Sequence, residues 1–260
     1  MNRKYLSFAI AITLAIGIVA CGKKEEEKAA APAATAPAAA SAVDPATAAT
    51  VTGAVMLEGP APKNKPINMG AEPSCAAKHT SKPMTEEVIA DGGKLANVVV
   101  YVKEMSGKSF PAKTETVVMD QQGCQYTPHV VAVQTNQPIE VKNSDPTTHN
   151  IHPTPANNRE WNESQPQGAA PLQKTFAREE IAIPVKCNVH PWMKSYIAVF
   201  SHPYFNVTGN GGSFEIKNLP PGDYTLVAWH EKLGTQEQKV TVAAKESKAV
   251  NFTFKAPAGD

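Results

Sequence analysis

A surplus of charge of either sign is the first thing this chain lacks. Its 25 lysines and arginines face 24 aspartates and glutamates, for a formal net charge of +1 over 260 residues. Without a basic stripe there is no electrostatic footprint for nucleic acid and no polybasic patch for an anionic membrane surface. Extended helical periodicity is missing too, and the stretch 73–88 could hold a short helix at most. No Ser-His-Asp or paired-carboxylate constellation points to hydrolysis. Methionines at 56, 69, 84, 105 and 119 are scattered rather than clustered. Cysteine is scarce, with Cys21, Cys75, Cys124 and Cys187 making up the whole set. The longest apolar run, Leu6 to Ala20, is too short for a comfortable membrane-spanning helix, which needs about 20 residues.

That run reads as an export signal over residues 1–20, with Arg3 and Lys4 as its charged start. The tetrad Ile18-Val19-Ala20-Cys21 resembles a bacterial lipobox, which implies a lipid on Cys21 and a lipid-anchored protein of the cell envelope facing the periplasm. Gly22 follows the cysteine where an aspartate would retain the protein at the inner membrane, so the resemblance favours the outer membrane. From 21 to 50, beyond the charged cluster at 23–28, the composition is alanine, proline, serine and threonine. Such a stretch buries too little to offset its ordering entropy and is expected to be a disordered tether, with a reach of roughly 90 Å if extended as polyproline.

Beyond Thr50, short β-rich runs alternate with Pro, Gly, Asn and Asp, so an all-β chain of two sandwiches is expected. The runs lie at 52–57, 95–103, 116–119, 129–134, 137–143, 173–177, 181–186, 196–201, 213–216, 223–230, 238–242 and 249–254. In the last part a glycine-rich turn, the strand Ser213 to Ile216, the turn Leu219-Pro220-Pro221-Gly222 and the strand Tyr224-Thr225-Leu226 follow closely. Pro221 and Gly222 suit the central positions of a type II turn. This order resembles the carboxypeptidase-regulatory, or transthyretin-like (prealbumin-like), β-sandwich. The opening strands that this family requires have matches only far upstream, at Thr52-Gly53-Ala54-Val55 and Asn97 to Val102. The expected host is therefore discontinuous, 51–108 plus 203–255, with a second domain of 109–202 inserted in it. A simple tandem order is the alternative.

Inside the insert, Cys187-Asn188-Val189-His190-Pro191-Trp192-Met193 follows a strand-like run directly. A thiolate, an imidazole and a thioether this close together suit an ion that cycles between a soft and a borderline state, as copper does. A second imidazole is offered upstream by Asn143 through His149-Asn150-Ile151-His152. The distant His-Asn with a closing Cys-x-x-His-x-x-Met resembles the cupredoxins, blue type 1 copper proteins with a Greek-key β-sandwich. The spacing is that of the amicyanin branch. The resemblance implies His149, Cys187 and His190 as equatorial ligands and Met193 as the axial one. It gives Asn150 a hydrogen bond near the thiolate, and gives Pro191 the part of stiffening the loop. It also implies a solvent-facing edge for His190, with Trp192 in an apolar docking patch beside it. Lys186 departs from the pattern, where an aromatic residue is common, and so does the long insert 153–171. His152 is the rival of His149, but three positions apart on a strand the two face opposite ways. Zinc is disfavoured, since its structural sites are closed by several cysteines and histidines and seldom include a thioether.

If Cys187 holds metal and Cys21 a lipid, Cys75 and Cys124 remain to form a disulfide. Cys75-x-x-x-His79 as a second metal site is the lesser reading. His129 has a lesser claim to a metal, while His202 and His230 are expected to be hydrogen-bonded structural residues. The whole implies an electron carrier with one copper, rather than an enzyme, exchanging electrons with a redox protein donor and acceptor. The alternatives are a copper-handling lipoprotein that sequesters or delivers the ion, and a cell-surface binding module in which the metal is structural.

Overall fold

The computed structural model describes residues 43–105 and 108–257; Cys21, the export signal and most of the tether lie outside the described residues. Nineteen strands and one short helix are present among them. They are β1 (Ala49–Glu58), α1 (Pro73–Ala76), β2 (Ala90–Asp91), β3 (Lys94–Leu95), β4 (Val99–Val102), β5 (Val117–Gln122) and β6 (Gln125–Thr127). Next come β7 (Val130–Gln134), β8 (Ile139–Asn143), β9 (His149–Pro153), β10 (Glu163–Gln165), β11 (Leu172–Lys174) and β12 (Glu180–Lys186). The chain ends with β13 (Lys194–Phe200), β14 (Phe205–Val207), β15 (Ser213–Leu219), β16 (Gly222–His230), β17 (Gly234–Val242), β18 (Ser247–Ala249) and β19 (Phe252–Lys255). No helix among the described residues is long and apolar enough to cross a membrane.

These strands form four sheets. One has the order β15-β1-β3-β2, with β18 and β19 also on β1, and it faces the sheet β14-β4-β16-β17. Their shared core contains Val51, Val55, Leu95, Val100, Tyr204, Phe214, Leu226, Phe252 and Phe254. The other two sheets, β10-β9-β12-β13-β7 and β11-β8-β5-β6, are built from residues 117–200 and enclose Met119, Tyr126, Ile139, Ile151, Phe176 and Ile183. The fold is all-β. Period-two burial, as along β15 and β17, leaves one face of each outer strand in water. The strands β4, β7 and β13 are instead buried almost continuously. The reason lies in a third cluster, in which Val99 of β4 meets Val130 of β7 and Ala198 and Phe200 of β13, with Tyr101, Tyr196 and Trp229 at its margin. Each of the three strands thus packs on both faces, which is why their sequences are unbroken apolar runs.

Three expectations need correction. The tether was read to residue 50, yet Ala49 and Thr50 already belong to β1 and pair with β15 and β18. The segment after β1, assigned with 51–108 to the transthyretin-like sandwich, packs elsewhere: Ile67, Met69 and Cys75 lie in the core of the 117–200 sandwich. Apolar side chains and a disulfide from Cys75 to Cys124, with Cα atoms 5.5 Å apart, hold it there. Gly222 has φ +156°, well beyond type II geometry, because it already starts β16 and pairs with Val242. The Tyr224 hydroxyl donates to the Pro220 carbonyl across this corner at 2.7 Å.

Candidate metal centre

The strands β12 and β13 are antiparallel and pair Lys186 with Lys194, so residues 187–193 form the loop that closes them. Within it the Met193 amide donates to the His190 carbonyl at 2.9 Å, and the Cys187 amide donates to the Met193 carbonyl at 3.2 Å. The His190 amide points at the Cys187 sulfur, 3.4 Å away. This backbone closure turns Cys187, His190 and Met193 inward, and all three are buried. Pro191, between them, is exposed and fixes φ where the loop turns back.

His149 arrives on β9, which pairs with β12 through His152 and Lys186. Its Nδ1 lies 2.9 Å from Nδ1 of His190, which in turn lies 4.0 Å from the Cys187 sulfur. One nitrogen from each histidine and the sulfur all fall within 4.8 Å of one another. The outer nitrogen of His149 meets Oδ2 of Asp145 at 2.9 Å. With Asp145 accepting that N–H, Nδ1 of His149 is left with its lone pair toward the cluster. Two imidazole nitrogens and a thiol that converge out of solvent, with Met193 buried in the same loop, fit copper better than a hard cation.

Asp145 was not singled out in the sequence, yet it holds the site together. Gln122 and Gln125 pair across a two-residue turn whose members, Gly123 and Cys124, both have positive φ, +65° and +54°. That is a type I′ hairpin turn. Its two amides donate to Asp145 at 2.8 and 2.7 Å, so one buried carboxylate joins the turn carrying the disulfide to the His149 ring. Burial alone would raise the Asp145 carboxyl, but the bonds from His149, Cys124 and Gly123 hold it below its ordinary value. Burial would lower His149 as well, and its bond to Asp145 raises it overall. Burial would raise the Cys187 thiol, but the neighbouring His149 ring and the hydrogen bonds of the surrounding backbone hold it below its ordinary value. A thiol of lowered pKa gives up its proton more readily to a metal.

Asn150 ties the two ligand loops. Its Oδ1 accepts from the Asn188 amide at 2.7 Å and lies 3.3 Å from the Cys187 sulfur. Asn162 accepts from its amide nitrogen at 2.7 Å, so the long insert supports the site from behind. The remaining histidines stand apart. His152 is bonded to Glu160 and Asn188, and His129 to Glu231. His202 meets the Val102 carbonyl, and His230 accepts from the amides of Lys232 and Leu233. Cys75 is consumed by the disulfide, so the Cys75–His79 pair is not a site as the chain stands.

The expected solvent-facing edge of His190 is not there. The residue is fully buried. Its Nε2 sits 3.8 Å from the Cys75 sulfur and 3.7 Å from Oε2 of Glu72, so the segment carrying α1 covers it. The disulfide and a bond from His79 Nε2 to the Gly123 carbonyl at 2.7 Å fasten that cover. Trp192 stays half-buried, its ring centre 5.1 Å from that of His190 and its Nε1 donating to the Cys124 carbonyl at 3.0 Å. Beside it Val189 is 50 % exposed.

Residues 201–255 match the family model of the carboxypeptidase regulatory-like domain. No curated protein matches the chain. Among the similar solved structures are cupredoxins and a copper-containing nitrite reductase. A copper-containing nitrite reductase from Thermus scotoductus SA-01 aligns at 17 % identity and TM-score 0.30, covering 38 % of this chain and 25 % of that one. This chain therefore spans a quarter of the reductase's length. A purple cupredoxin from Nitrosopumilus maritimus aligns at 18 % identity and TM-score 0.28, covering 32 % of this chain and 98 % of that one. Amicyanin from Paracoccus versutus aligns at 18 % identity and TM-score 0.29, covering 38 % of this chain and 96 % of that one.

Proposed function

We propose that this protein is an electron carrier in which His149, Cys187, His190 and Met193 hold one type 1 copper ion. The reading is carried by the convergence of one nitrogen from each histidine with the Cys187 sulfur within 4.8 Å, all three residues buried. Bound copper would supply one-electron exchange between Cu(I) and Cu(II). The chain's own part is to hold the ligands rigid and dry. Asp145 orients His149, Asn150 fixes the Cys187 loop, and Pro191 limits the motion of the loop between His190 and Met193. Val189, Pro191 and Trp192 form the apolar surface on which a redox protein donor or acceptor docks weakly, Trp192 replacing a bare histidine edge as the nearest ring to solvent. Cys21 is the lipid anchor in this reading, holding the protein in the bacterial cell envelope, on the outer membrane, facing the periplasm.

The test is spectroscopic. Cu(II) added to the full-length protein is expected to give an intense thiolate-to-copper band and a narrow copper hyperfine splitting, both lost in Cys187→Ser. Weak colour with an ordinary hyperfine pattern would refute the assignment. The burial of His190 favours one second reading, a copper-handling lipoprotein. Slow electron self-exchange with rapid loss of Cu(I) to a chelator would select it over electron transfer.

A further inference from the structure

The cover over His190 contains its own ligand set. Nε2 of His190, the Cys75 sulfur and a Glu72 carboxylate oxygen lie within 4.8 Å of one another, with the nitrogen 3.8 Å from the sulfur and 3.7 Å from the oxygen. Ligands at about 2.0–2.3 Å from a tetrahedral ion are separated by roughly 3.3–3.8 Å, so both distances from the nitrogen suit one coordination shell. Cys75 and His190 are fully buried, while the Glu72 side chain is 36 % exposed and offers a way in from solvent. One thing keeps the set from serving: the Cys75 sulfur is bonded to Cys124.

We propose that Glu72, Cys75 and His190 form a second metal site, for a thiophilic closed-shell cation such as Cu(I), which comes into being when the Cys75–Cys124 disulfide is reduced. A dithiol reductant supplies the step. One of its thiolates attacks a sulfur of the pair, two electrons and two protons pass to the protein as two thiols, and the donor leaves as its own disulfide. The Cys75 thiol then releases its proton to water as the metal binds. His190 presents Nδ1 inward to His149 and Cys187 and Nε2 outward to this set, so one ring lies between the two sites. The disulfide thereby keeps the outer site shut, and reduction opens it.

The experiment uses the full chain carrying Cys21→Ala and Cys187→Ser, which removes the other thiolates, with Cd(II) as the probe. After reduction and removal of the reductant, an ultraviolet sulfur-to-cadmium band is expected to saturate at one Cd(II) per chain, and the unreduced protein is expected to give none. Adding Cys124→Ser frees Cys75 permanently, so the band should appear without reductant. Adding Cys75→Ser should abolish it, and adding Glu72→Gln should weaken binding about tenfold. No band from reduced protein that keeps its native β circular dichroism would overturn the proposal. So would a band that survives Cys75→Ser and depends on Cys124, which neighbours Asp145 and His149 instead. The type 1 assignment stands or falls separately, on the colour of the oxidised wild-type protein.

Discussion

Asparagine at position 145 is the most informative single change. Asp145 is 2 % exposed and accepts three hydrogen bonds: Gly123 N–H on Oδ1, and Cys124 N–H and His149 Nε2–H on Oδ2. Asp145→Asn replaces one oxygen with an NH2 group. Whichever way the amide is turned, at least one buried N–H then faces another donor, at a cost of about 1–3 kcal/mol. The surviving bonds lose their charge assistance, each roughly halved in strength. Together these come to about 2–4 kcal/mol, with the orientation that keeps Oδ2 favoured because it loses only Gly123. Guanidinium unfolding of the metal-free protein measures the loss. Competition against a chelator measures the second effect, a fall in Cu(II) affinity of about 10–100-fold as His149 loses its orienting partner. A double-mutant cycle with His149→Ala separates the two, since only the part routed through the ring disappears in the His149→Ala background. An unchanged midpoint together with a copper affinity within twofold of wild type would refute the reasoning.

His230 makes stability depend on pH. Burial pulls its pKa down to about 4 from 6.5, so the unfolded chain takes the proton first. Stability present above pH 6.5 is lost as pH falls toward 4, by about 3 kcal/mol if the whole shift is expressed; His230→Asn should flatten that part of the pH profile. Replacing Cys75 and Cys124 together by serine opens a loop of sequence separation 49. Chain entropy puts the cost at about 4 kcal/mol in denaturant. At Gly53 an added Cβ would lie 1.7 Å from the Val250 carbonyl oxygen and 2.7 Å from the Phe214 ring. Gly53→Ala is therefore expected to destabilise by more than about 2 kcal/mol, measured as a shift of the unfolding midpoint.

The sequence revealed most where a rule acts locally. Short β-rich runs bounded by Pro, Gly, Asn and Asp located β15 and β16, and the seven residues 187–193 held three of the proposed ligands in one loop. β9, which carries His149, was assumed to be a strand in weighing His149 against His152 but was absent from the β-rich runs, because its residues have little β propensity: His149-Asn150-Ile151-His152-Pro153 is paired through β10 and β12, a tertiary circumstance. Asp145 was overlooked because its partners are backbone amides on a turn 21 and 22 residues away, and an isolated Ser-Asp-Pro reads as an ordinary turn. The cover over His190 was invisible for a related reason. Position 75 says nothing about position 190 until the disulfide to Cys124 brings the 59–88 segment across the sandwich.

The placement of β1 has a consequence for how the molecule can be made. It is the first strand among the described residues, and apart from an early pairing of Met56 with Lys94 of β3 its neighbours come late: Ala54 waits for Ser213, and Val55 waits for Phe252, 197 residues further on. At ordinary rates of synthesis that interval is roughly 10–40 s. Throughout it the edge of β1 that takes β18 and β19 is open, and so is most of the edge that takes β15, which is the condition under which strands find the wrong partner. The sandwich of residues 117–200 has all its strands well before then, so the proposed ligands can be gathered while the host is still unfinished. A ribosome that stops between β13 and β15 thus leaves a chain with a complete set of copper-type donors and a largely unpaired, sticky first strand.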